Sequence, residues 1–423
     1  MTASIFIGFL LVTLVAGIPI FIAMLLPSAY YLVEELGMQG FLIAQSYVGG
    51  LNKYTLLCVP FFTLAASIMG RGEIGPRLLK LAKNLVGHMY GGFALATIVT
   101  CTIIGAISGA SVAGILIIGA LVFKEMQANN YGRDFSAGLI TSTSAVGMLI
   151  PPSICFVIYA MNTNTSVMKL FLAGVGSGLT WGIVFAIYSY IYARIKKIPR
   201  TPRPTLKSIL VSIKEAGWSL GLPVIIIGGM YSGLFSPTEA AAVSAGYALL
   251  VEMLVYKDMK FKDFLEMLAD CAKTCATVYI LLAAGQVLAY TMTLAKIPQL
   301  MSGLLGATSP IVVLLIINLM FLIAGMFMGA GSAIVIIIPM VFTLAMNAGI
   351  DPIHLGNIVT TNLAIGMSTP PFGQNLFVSC KALNMEFTEV VRSTMPFILL
   401  SLVVLALVTF IPEISLYLPN LLN

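Results

Sequence analysis

The chain has 423 residues, of which 59% are hydrophobic and only 9% are charged, whereas soluble domains carry about a quarter charged residues. This composition excludes a soluble fold and indicates an all-α polytopic membrane protein. The net charge is +6, but the 22 Lys and Arg residues lie in short loops between apolar spans, as the positive-inside bias places them, so no nucleic-acid partner is expected.

Transmembrane helices are predicted where an apolar stretch approaches the roughly 20 residues that cross the hydrocarbon. The first basic residue is Lys53, so the N-terminus lacks the charged region of a cleavable signal peptide, and the first span is expected to be structural. We predict about ten transmembrane helices, five in each half. In chain order they cover residues 3–16, 19–35, 54–70, 136–160, 170–193, 218–235, 237–256, 274–292, 355–380 and 395–415.

Two further apolar stretches, residues 91–123 and 310–346, begin and end on the same side of the membrane according to their flanking charges. Glycines interrupt the middle of each stretch, including Gly109 in the first and Gly329 in the second. Both are therefore predicted to be re-entrant helical hairpins. Irregular backbone at membrane depth is tolerated only inside protein or beside a water-filled cavity, so the hairpin tips indicate a binding site.

Each hairpin is followed by a broken helix, and the two broken helices belong to an internal repeat at an offset of about 219 residues. Gly147–Pro152 is echoed by Gly366–Pro371, and Thr141–Thr143 is echoed by Thr360–Asn362. The paired prolines break the helices because proline removes an amide donor and clashes with the preceding turn. The repeat divides the chain into residues 1–193, a basic linker 194–214, and residues 215–423.

The distribution of Lys and Arg predicts that the two repeats have inverted topology. They are absent from residues 34–45 and abundant in 71–83. The second half reverses this order, since residues 257–273 hold four lysines and residues 297–350 hold no charge. The positive-inside rule then places the linker in the cytoplasm and both termini in the periplasm.

The chemistry of the broken region is predicted from the residue types that it contains. Residues 91–123, 135–168, 297–350 and 352–380 hold no Asp, Glu, Lys or Arg, whereas a proton relay needs such groups, and His354 is expected at the interface. Carbonyl, hydroxyl and amide oxygens at helix ends suit sodium as the coupling ion. Free helix N-termini suit a carboxylate substrate. No organic cofactor is expected.

Other motifs give no indication of an enzyme. No phosphate-binding loop occurs, so ATP hydrolysis is not expected. Cys271 and Cys275 share one helix face, but no His or acidic cluster completes a metal site. A catalytic dyad inside the membrane is also missing from the charge-free spans. Ser236 and Pro237 begin a helix, and Glu239 in its first turn either caps that helix or holds a partner or scaffold element.

Four motifs together resemble the large membrane subunit of tripartite ATP-independent periplasmic (TRAP) transporters. They are Ser236–Ala241, Gly105–Ala113, Pro151–Ile154 and Gly366–Gly373. The resemblance covers essentially the whole chain. It implies an elevator-type transporter in the bacterial inner membrane that works with a small four-helix membrane subunit and a periplasmic substrate-binding protein. It also implies a sodium gradient and an organic-acid substrate such as a C4-dicarboxylate or sialic acid.

The resemblance also implies where sodium binds, at the hairpin tips and broken helices. The implied sodium-binding residues are Gly105, Ser108, Thr141, Ser142, Gly325, Gly329, Gly366 and Thr369. Nearby hydroxyl and amide side chains are candidates for substrate contact. These are Ser111, Ser144, Ser332, Asn362 and Ser368. The alternative is a stand-alone sodium/dicarboxylate-type secondary transporter, which would move substrate without partner subunits.

Overall fold

The chain is helical throughout the part that the structure describes. The structure is a computed structural model that describes residues 2–71, 74–109, 111–200, 203–257, 259–305 and 309–421. Within these ranges there is no β-strand, and seven single helices are long and apolar enough to cross a membrane. An eighth is added if the pair Gly40–Leu51 and Tyr54–Met69, bent by 56°, is one span. The predicted fold class is confirmed, while the count of ten crossings stays a prediction.

Five helices precede the first hairpin. They are α1 Thr2–Val15, α2 Ile20–Tyr30, α3 Gly40–Leu51, α4 Cys58–Arg71 and α5 Ile74–Val86. Sequence analysis missed α3 and α5. Helix α5 buries Leu78, Leu79 and Ala82 on one face and exposes Lys80 on the other, so its mixed polarity resembles a loop when only hydropathy is considered.

The first hairpin and the first broken helix follow. The helices are α6 Gly92–Ser108, α7 Ser111–Ala128, α8 Arg133–Thr143, α9 Ile154–Thr163 and α10 Val167–Ile195. The chain turns between α6 and α7 at Gly109, which has a left-handed φ of 59°. A 3-10 turn, Ser144–Met148, and the proline pair separate α8 from α9.

The next five helices lead to the second hairpin. They are α11 Leu206–Pro223, α12 Gly229–Tyr231, α13 Pro237–Leu250, α14 Phe261–Leu294 and α15 Ile297–Leu305. A π turn joins α11 and α12 into one span directly after Pro223, where the proline removes a helical amide donor. Helix α11 begins inside the stretch predicted as the linker, and α14 begins well before the predicted residue 274.

The last six helices contain the second hairpin and the second broken helix. They are α16 Pro310–Phe327, α17 Ala330–Asn347, α18 Pro352–Gly366, α19 Gln374–Leu383, α20 Phe387–Phe410 and α21 Pro412–Leu421. The predicted span 395–415 has the wrong bounds. Ile411 leaves the helical region because it precedes Pro412, and this break separates α20 from α21.

The order of elements repeats along the chain. Each of α16 to α20 begins about 219 residues after its counterpart among α6 to α10. Both series contain a hairpin of two helices, a broken helix, and one long helix, and both broken helices contain a cis prolyl–prolyl bond. The inverted orientation of the two series stays a prediction.

The hairpins and broken helices pack into one inner body. Helix α7 contacts α19 and helix α17 contacts α9, so each hairpin lies against the broken helix of the other half. Helix α6 also contacts the 3-10 turn after α8, and α16 contacts α18, within the same half. Helices α2, α3 and α4 pack against α14, which contacts the inner body through α17. This arrangement surrounds the predicted site with packed helices.

Candidate sodium and substrate site

The first hairpin approaches its broken helix so closely that only glycine fits. A Cβ atom added at Gly105 would lie less than 3.0 Å from the Cα atom of Gly147. A Cβ atom at Gly109 would be equally close to the carbonyl oxygen of Pro152, and its positive φ also favours glycine. The hairpin tip is therefore held against the proline break backbone to backbone.

The second hairpin makes the matching contact. A Cβ atom added at Gly366 would lie 2.7 Å from the Cα atom of Gly325. A Cβ atom added at Gly325 would lie 3.0 Å from the Cα atom of Gly366. The predicted residues Gly325 and Gly366 are thus brought together, as Gly105 is with Gly147. The same close approach in both halves positions two helix breaks beside two hairpin arms.

Three buried oxygens near these breaks have no hydrogen-bond partner within the described residues. They are Ser142 Oγ, Thr143 Oγ1 and Asn362 Oδ1. Ser142 and Thr143 are the last two residues of α8, and Asn362 lies one turn before the end of α18. Leaving a buried polar group unsatisfied costs about 1–3 kcal/mol, so such atoms call for a ligand, an ion or a water molecule.

The remaining polar groups around these oxygens are paired. Thr141 Oγ1 donates to the carbonyl oxygen of Ala137 at 2.8 Å and shares a hydrogen bond of 2.7 Å with Ser379 on α19. Asn362 Nδ2 donates to Asn318 Oδ1 at 2.7 Å. The Oδ1 atom of Asn362 has no partner within the described residues and is free to coordinate a cation. Thr143, Ser379 and Asn318 were missed by sequence analysis, because tertiary packing decides which of these side chains is paired and which is left free.

A buried hydrogen-bond chain joins the first hairpin to the second broken helix. Ser111 Oγ, at the start of α7, donates to Asn375 Oδ1 at 2.9 Å. Asn375 Nδ2 donates to Ser368 Oγ at 3.0 Å. Two predicted substrate residues, Ser111 and Ser368, are therefore brought together by a residue that was not predicted. Its one sequence signal was its position two residues after the Gly366–Gly373 motif.

Other predicted site residues do not join these clusters. Ser144 Oγ donates to the carbonyl oxygen of Ile140, and Thr369 Oγ1 donates to that of Ile365. Gly329 is the N-cap residue of α17 and has no atom within 4 Å of an added Cβ, and Ser332 is buried in the first turn of the same helix. The side chain of Ser108 lies outside the described residues.

Comparison with known proteins identifies the family. The model of the family described as "Tripartite ATP-independent periplasmic transporter, DctM component" matches residues 6–414 of the chain. The chain belongs to this family. Like its relatives, this TRAP permease is a multi-pass membrane protein and a transport protein.

Two relatives illustrate how the family varies. The TRAP permease is 41% identical to the C4-dicarboxylate TRAP transporter large permease protein of Pseudomonas aeruginosa over 88% of both chains. It is 38% identical to the ectoine/5-hydroxyectoine TRAP transporter large permease protein of Ruegeria pomeroyi over 90% of this chain and 89% of the relative. The named substrates differ between these relatives.

A solved structure supports the fold. The YdaH transporter of Alcanivorax borkumensis superposes with a TM-score of 0.62 over 87% of this chain and 86% of YdaH, at 12% sequence identity. At that identity the likeness concerns the fold alone. The two proteins share a helical transporter architecture.

The structure shows the surroundings of two side chains of the TRAP permease that sequence analysis singled out, His354 and Glu239. His354 was predicted at the interface but is 4% exposed, and its Nδ1 lies 3.0 Å from Ser415 Oγ on α21. The His354 side chain is buried because α21 covers the start of α18, and its location at the membrane interface stays a prediction. Glu239 accepts from the backbone amide of Ser236 at 2.7 Å, and Ser236 Oγ accepts from the amide of Glu239. This reciprocal pair is a capping box.

Asn375 offers the first test of the site. We expect Asn375→Ala to reduce uptake and to lower the free energy of unfolding by about 1–3 kcal/mol, because Ser111 and Ser368 both lose their buried partner. Uptake in proteoliposomes and thermal unfolding in detergent measure the two effects. Asn52→Ala is the matched control, since Asn52 is exposed after α3. Unchanged uptake and stability in Asn375→Ala would show that the hydrogen bonds of Asn375 to Ser111 and Ser368 have no role in transport or folding.

Proposed function

We propose that this permease is the large transmembrane subunit of a TRAP transporter of the bacterial inner membrane, which takes up an organic acid together with sodium. The observation that carries the proposal is the set of three buried, unpartnered oxygens at the ends of α8 and α18, on Ser142, Thr143 and Asn362. The carboxyl end of a helix carries partial negative charge, which favours a cation.

Sodium fits this region better than a proton. Each hairpin meets its broken helix at a contact that we call a junction. The two broken helices hold no Asp, Glu, Lys or Arg within residues 135–168 and 352–380, so no carboxylate relay is available there. Hydroxyl, amide and backbone carbonyl oxygens are hard ligands that suit sodium. The glycine contacts Gly105–Gly147 and Gly325–Gly366 hold the backbone of each hairpin against the backbone of its broken helix.

The substrate is proposed to bind near Ser111, Asn375 and Ser368. Helix α7 begins at Ser111, and its unpaired amide groups suit a carboxylate. The proposed substrate is a carboxylate such as a C4-dicarboxylate or sialic acid. Because the junctions offer no arginine clamp, we propose that a periplasmic substrate-binding protein supplies most of the selectivity.

The proposal includes two partner proteins, which distinguishes it from a stand-alone transporter. We expect the purified permease alone in proteoliposomes to give background uptake, and the permease with a small four-helix membrane subunit and the periplasmic binding protein to give sodium-driven uptake. Omitting each component in turn is the measurement. Full uptake by the permease alone would instead establish a stand-alone secondary transporter.

We further propose an elevator mechanism, in which the inner body moves against the outer helices with the linker in the cytoplasm and both termini in the periplasm. The two hairpins and the two broken helices contact each other across the halves, which favours movement as one unit. Alternating access is largely rigid-body displacement of one unit against another. The boundary includes the contact of α14 with α17, and also the contacts of α5 with α6 and of α20 with α8.

Cysteine pairs can separate this mechanism from local gating. A Cβ atom at Gly285 on α14 would lie 3.3 Å from Val335 Cβ on α17, and a Cβ atom at Gly119 on α7 would lie 3.6 Å from Ala382 Cβ on α19. Both separations are close to the range for a disulfide. We expect the boundary pair Gly285→Cys/Val335→Cys to stop uptake when oxidised and to restore it on reduction.

The internal pair Gly119→Cys/Ala382→Cys is the matched control and should transport when oxidised. Each pair is placed in a background in which the six native cysteines are replaced. Uptake with and without reductant, beside mobility on a non-reducing gel, measures both. Equal loss from the two oxidised pairs would contradict movement of the inner body as one unit.

A further inference from the structure

A cluster of exposed cations lies where α10 leaves the membrane-spanning bundle. Its six members are Arg194, Lys196, Lys197, Arg200, Arg203 and Lys207. No acidic residue occurs between residues 194 and 214. Among the described residues, none of the six forms an ion pair with a carboxylate. We call these residues the linker cations.

Unlike the linker cations, two lysines of the neighbouring helix α5 form ion pairs with carboxylates. In α5, Lys80 pairs with Glu215 at 2.6 Å and Lys83 pairs with Glu125 at 2.5 Å. These cations are neutralised within the protein, although they lie on the same predicted side of the membrane. The linker cations keep their charge available for another partner.

The backbone is ordered around the first of the linker cations, from Arg194 to Arg200. After α10 the amide of Ile198 donates to the carbonyl oxygen of Ala193 at 2.9 Å, and Lys197 has a left-handed φ of 53°. This is the hydrogen-bond pattern of a Schellman cap, and the side chain of Ile198 is buried beneath it. Further along, the Arg200 guanidinium lies 3.4 Å from the ring centroid of Tyr90.

The electrostatic effect of the linker cations is visible at Tyr90. A hydrogen bond to Arg200 and the charges of Arg200 and Arg194 hold the pKa of the Tyr90 phenol below its ordinary value. Tyr90 lies in the turn between α5 and α6. A negatively charged group at this surface would be stabilised in the same way.

An apolar stripe runs along α10 directly to the linker cations. Its side chains recur at every fourth position and are 49–72% exposed. They are Leu179, Ile183, Ile187, Ile191 and Ile195. This spacing places each side chain above the preceding one, so that together they form a continuous stripe that winds gradually around the helix. The stripe thus offers an exposed apolar surface that ends at an uncompensated positive cluster.

We propose that the linker cations bind the phosphate headgroup of an anionic phospholipid whose acyl chain lies along the α10 stripe. Clusters of four to eight Lys and Arg residues beside a transmembrane helix are attracted to anionic headgroups. Arginine adds paired hydrogen bonds to phosphate oxygens, and lysine adds a point charge. The cap orders the backbone of Arg194, Lys196 and Lys197 before the lipid arrives, which lowers the entropic cost of binding.

The test uses native mass spectrometry of the purified full chain in detergent, titrated with phosphatidylglycerol or with phosphatidylcholine. We expect the wild type to retain phosphatidylglycerol and to retain little phosphatidylcholine. A fourfold variant changes the linker cations that make no ring contact and adopt no left-handed backbone: Arg194→Gln, Lys196→Gln, Arg203→Gln and Lys207→Gln. It should lose about tenfold or more in apparent affinity for phosphatidylglycerol.

The matched control removes the same charge from scattered exposed positions. It carries Lys260→Gln, Lys262→Gln, Lys381→Gln and Arg392→Gln and should bind phosphatidylglycerol like the wild type. In the wild type, added salt should weaken retention, and glycerol 3-phosphate without acyl chains should not compete at equal concentration, since the stripe contributes binding. Equal retention of both lipids by the wild type, or an equal effect of both fourfold variants, would overturn the proposal.

Discussion

Replacing Gly105 by alanine should reduce uptake by a factor of order 10 to 100. The added Cβ atom would lie less than 3.0 Å from the Cα atom of Gly147, and a backbone atom cannot move aside as a flexible side chain can. The hairpin arm must therefore separate from the proline break. A displacement of about 1 Å at a functional site can cost about 100-fold in rate.

The same substitution should cost about 1–3 kcal/mol of stability, as overpacking in a dense core does. Gly366→Ala, whose Cβ atom would lie 2.7 Å from Gly325 Cα, should have the same effect in the second half. Gly246→Ala is the control, because Gly246 is exposed on α13 with no atom within 4 Å of the added Cβ. Uptake and thermal unfolding measure the series, and wild-type uptake by Gly105→Ala would contradict the backbone contact.

Removing a candidate sodium ligand should raise the sodium concentration that gives half-maximal uptake by about tenfold. The changes are Thr143→Val and Asn362→Leu, which keep most of the side-chain volume but remove the unpartnered oxygen. A hydrogen bond or ligand contact to a charged group contributes about 1.5–3 kcal/mol, which corresponds to tenfold or more. Thr143→Ser keeps the oxygen and should restore the wild-type sodium requirement.

Binding can be measured apart from transport. Sodium that binds the folded protein raises its melting temperature, so both variants should need more sodium for the same increase. Thr291→Val is the control, since the Thr291 hydroxyl donates to the Val287 carbonyl oxygen within α14. If Thr143→Val and Asn362→Leu respond to sodium as Thr291→Val does, these oxygens are not ligands.

The hairpins and breaks were predictable because their causes are local. Gly109 and the proline pairs interrupt a helix through properties of the residues themselves. Helix α5 was missed because its mixed polarity gives no apolar stretch, and α3 because its 12 residues are too short to cross the membrane alone. The bounds of α20 were wrong because length was counted from hydropathy, while Pro412 decides where the helix ends.

The site was only partly predictable for a different reason. Ser111 and Ser368 were expected to act near each other, but the residue that joins them, Asn375, lies in the other half of the chain from Ser111. Thr143 and Ser142 share one hydroxyl-rich stretch with Thr141, yet only Thr141 is paired, because Ser379 reaches it from α19. Which oxygens stay free depends on contacts that sequence spacing does not record.

The coupling ion is the central claim, and one uptake measurement tests it. The permease is reconstituted with its small membrane subunit and its binding protein, and an inward sodium gradient, an inward proton gradient in sodium-free buffer, or both are imposed. The oxygen-lined, charge-free junctions predict uptake whenever sodium is present outside and background uptake with the proton gradient alone. Uptake driven equally well in sodium-free buffer at low external pH would contradict it.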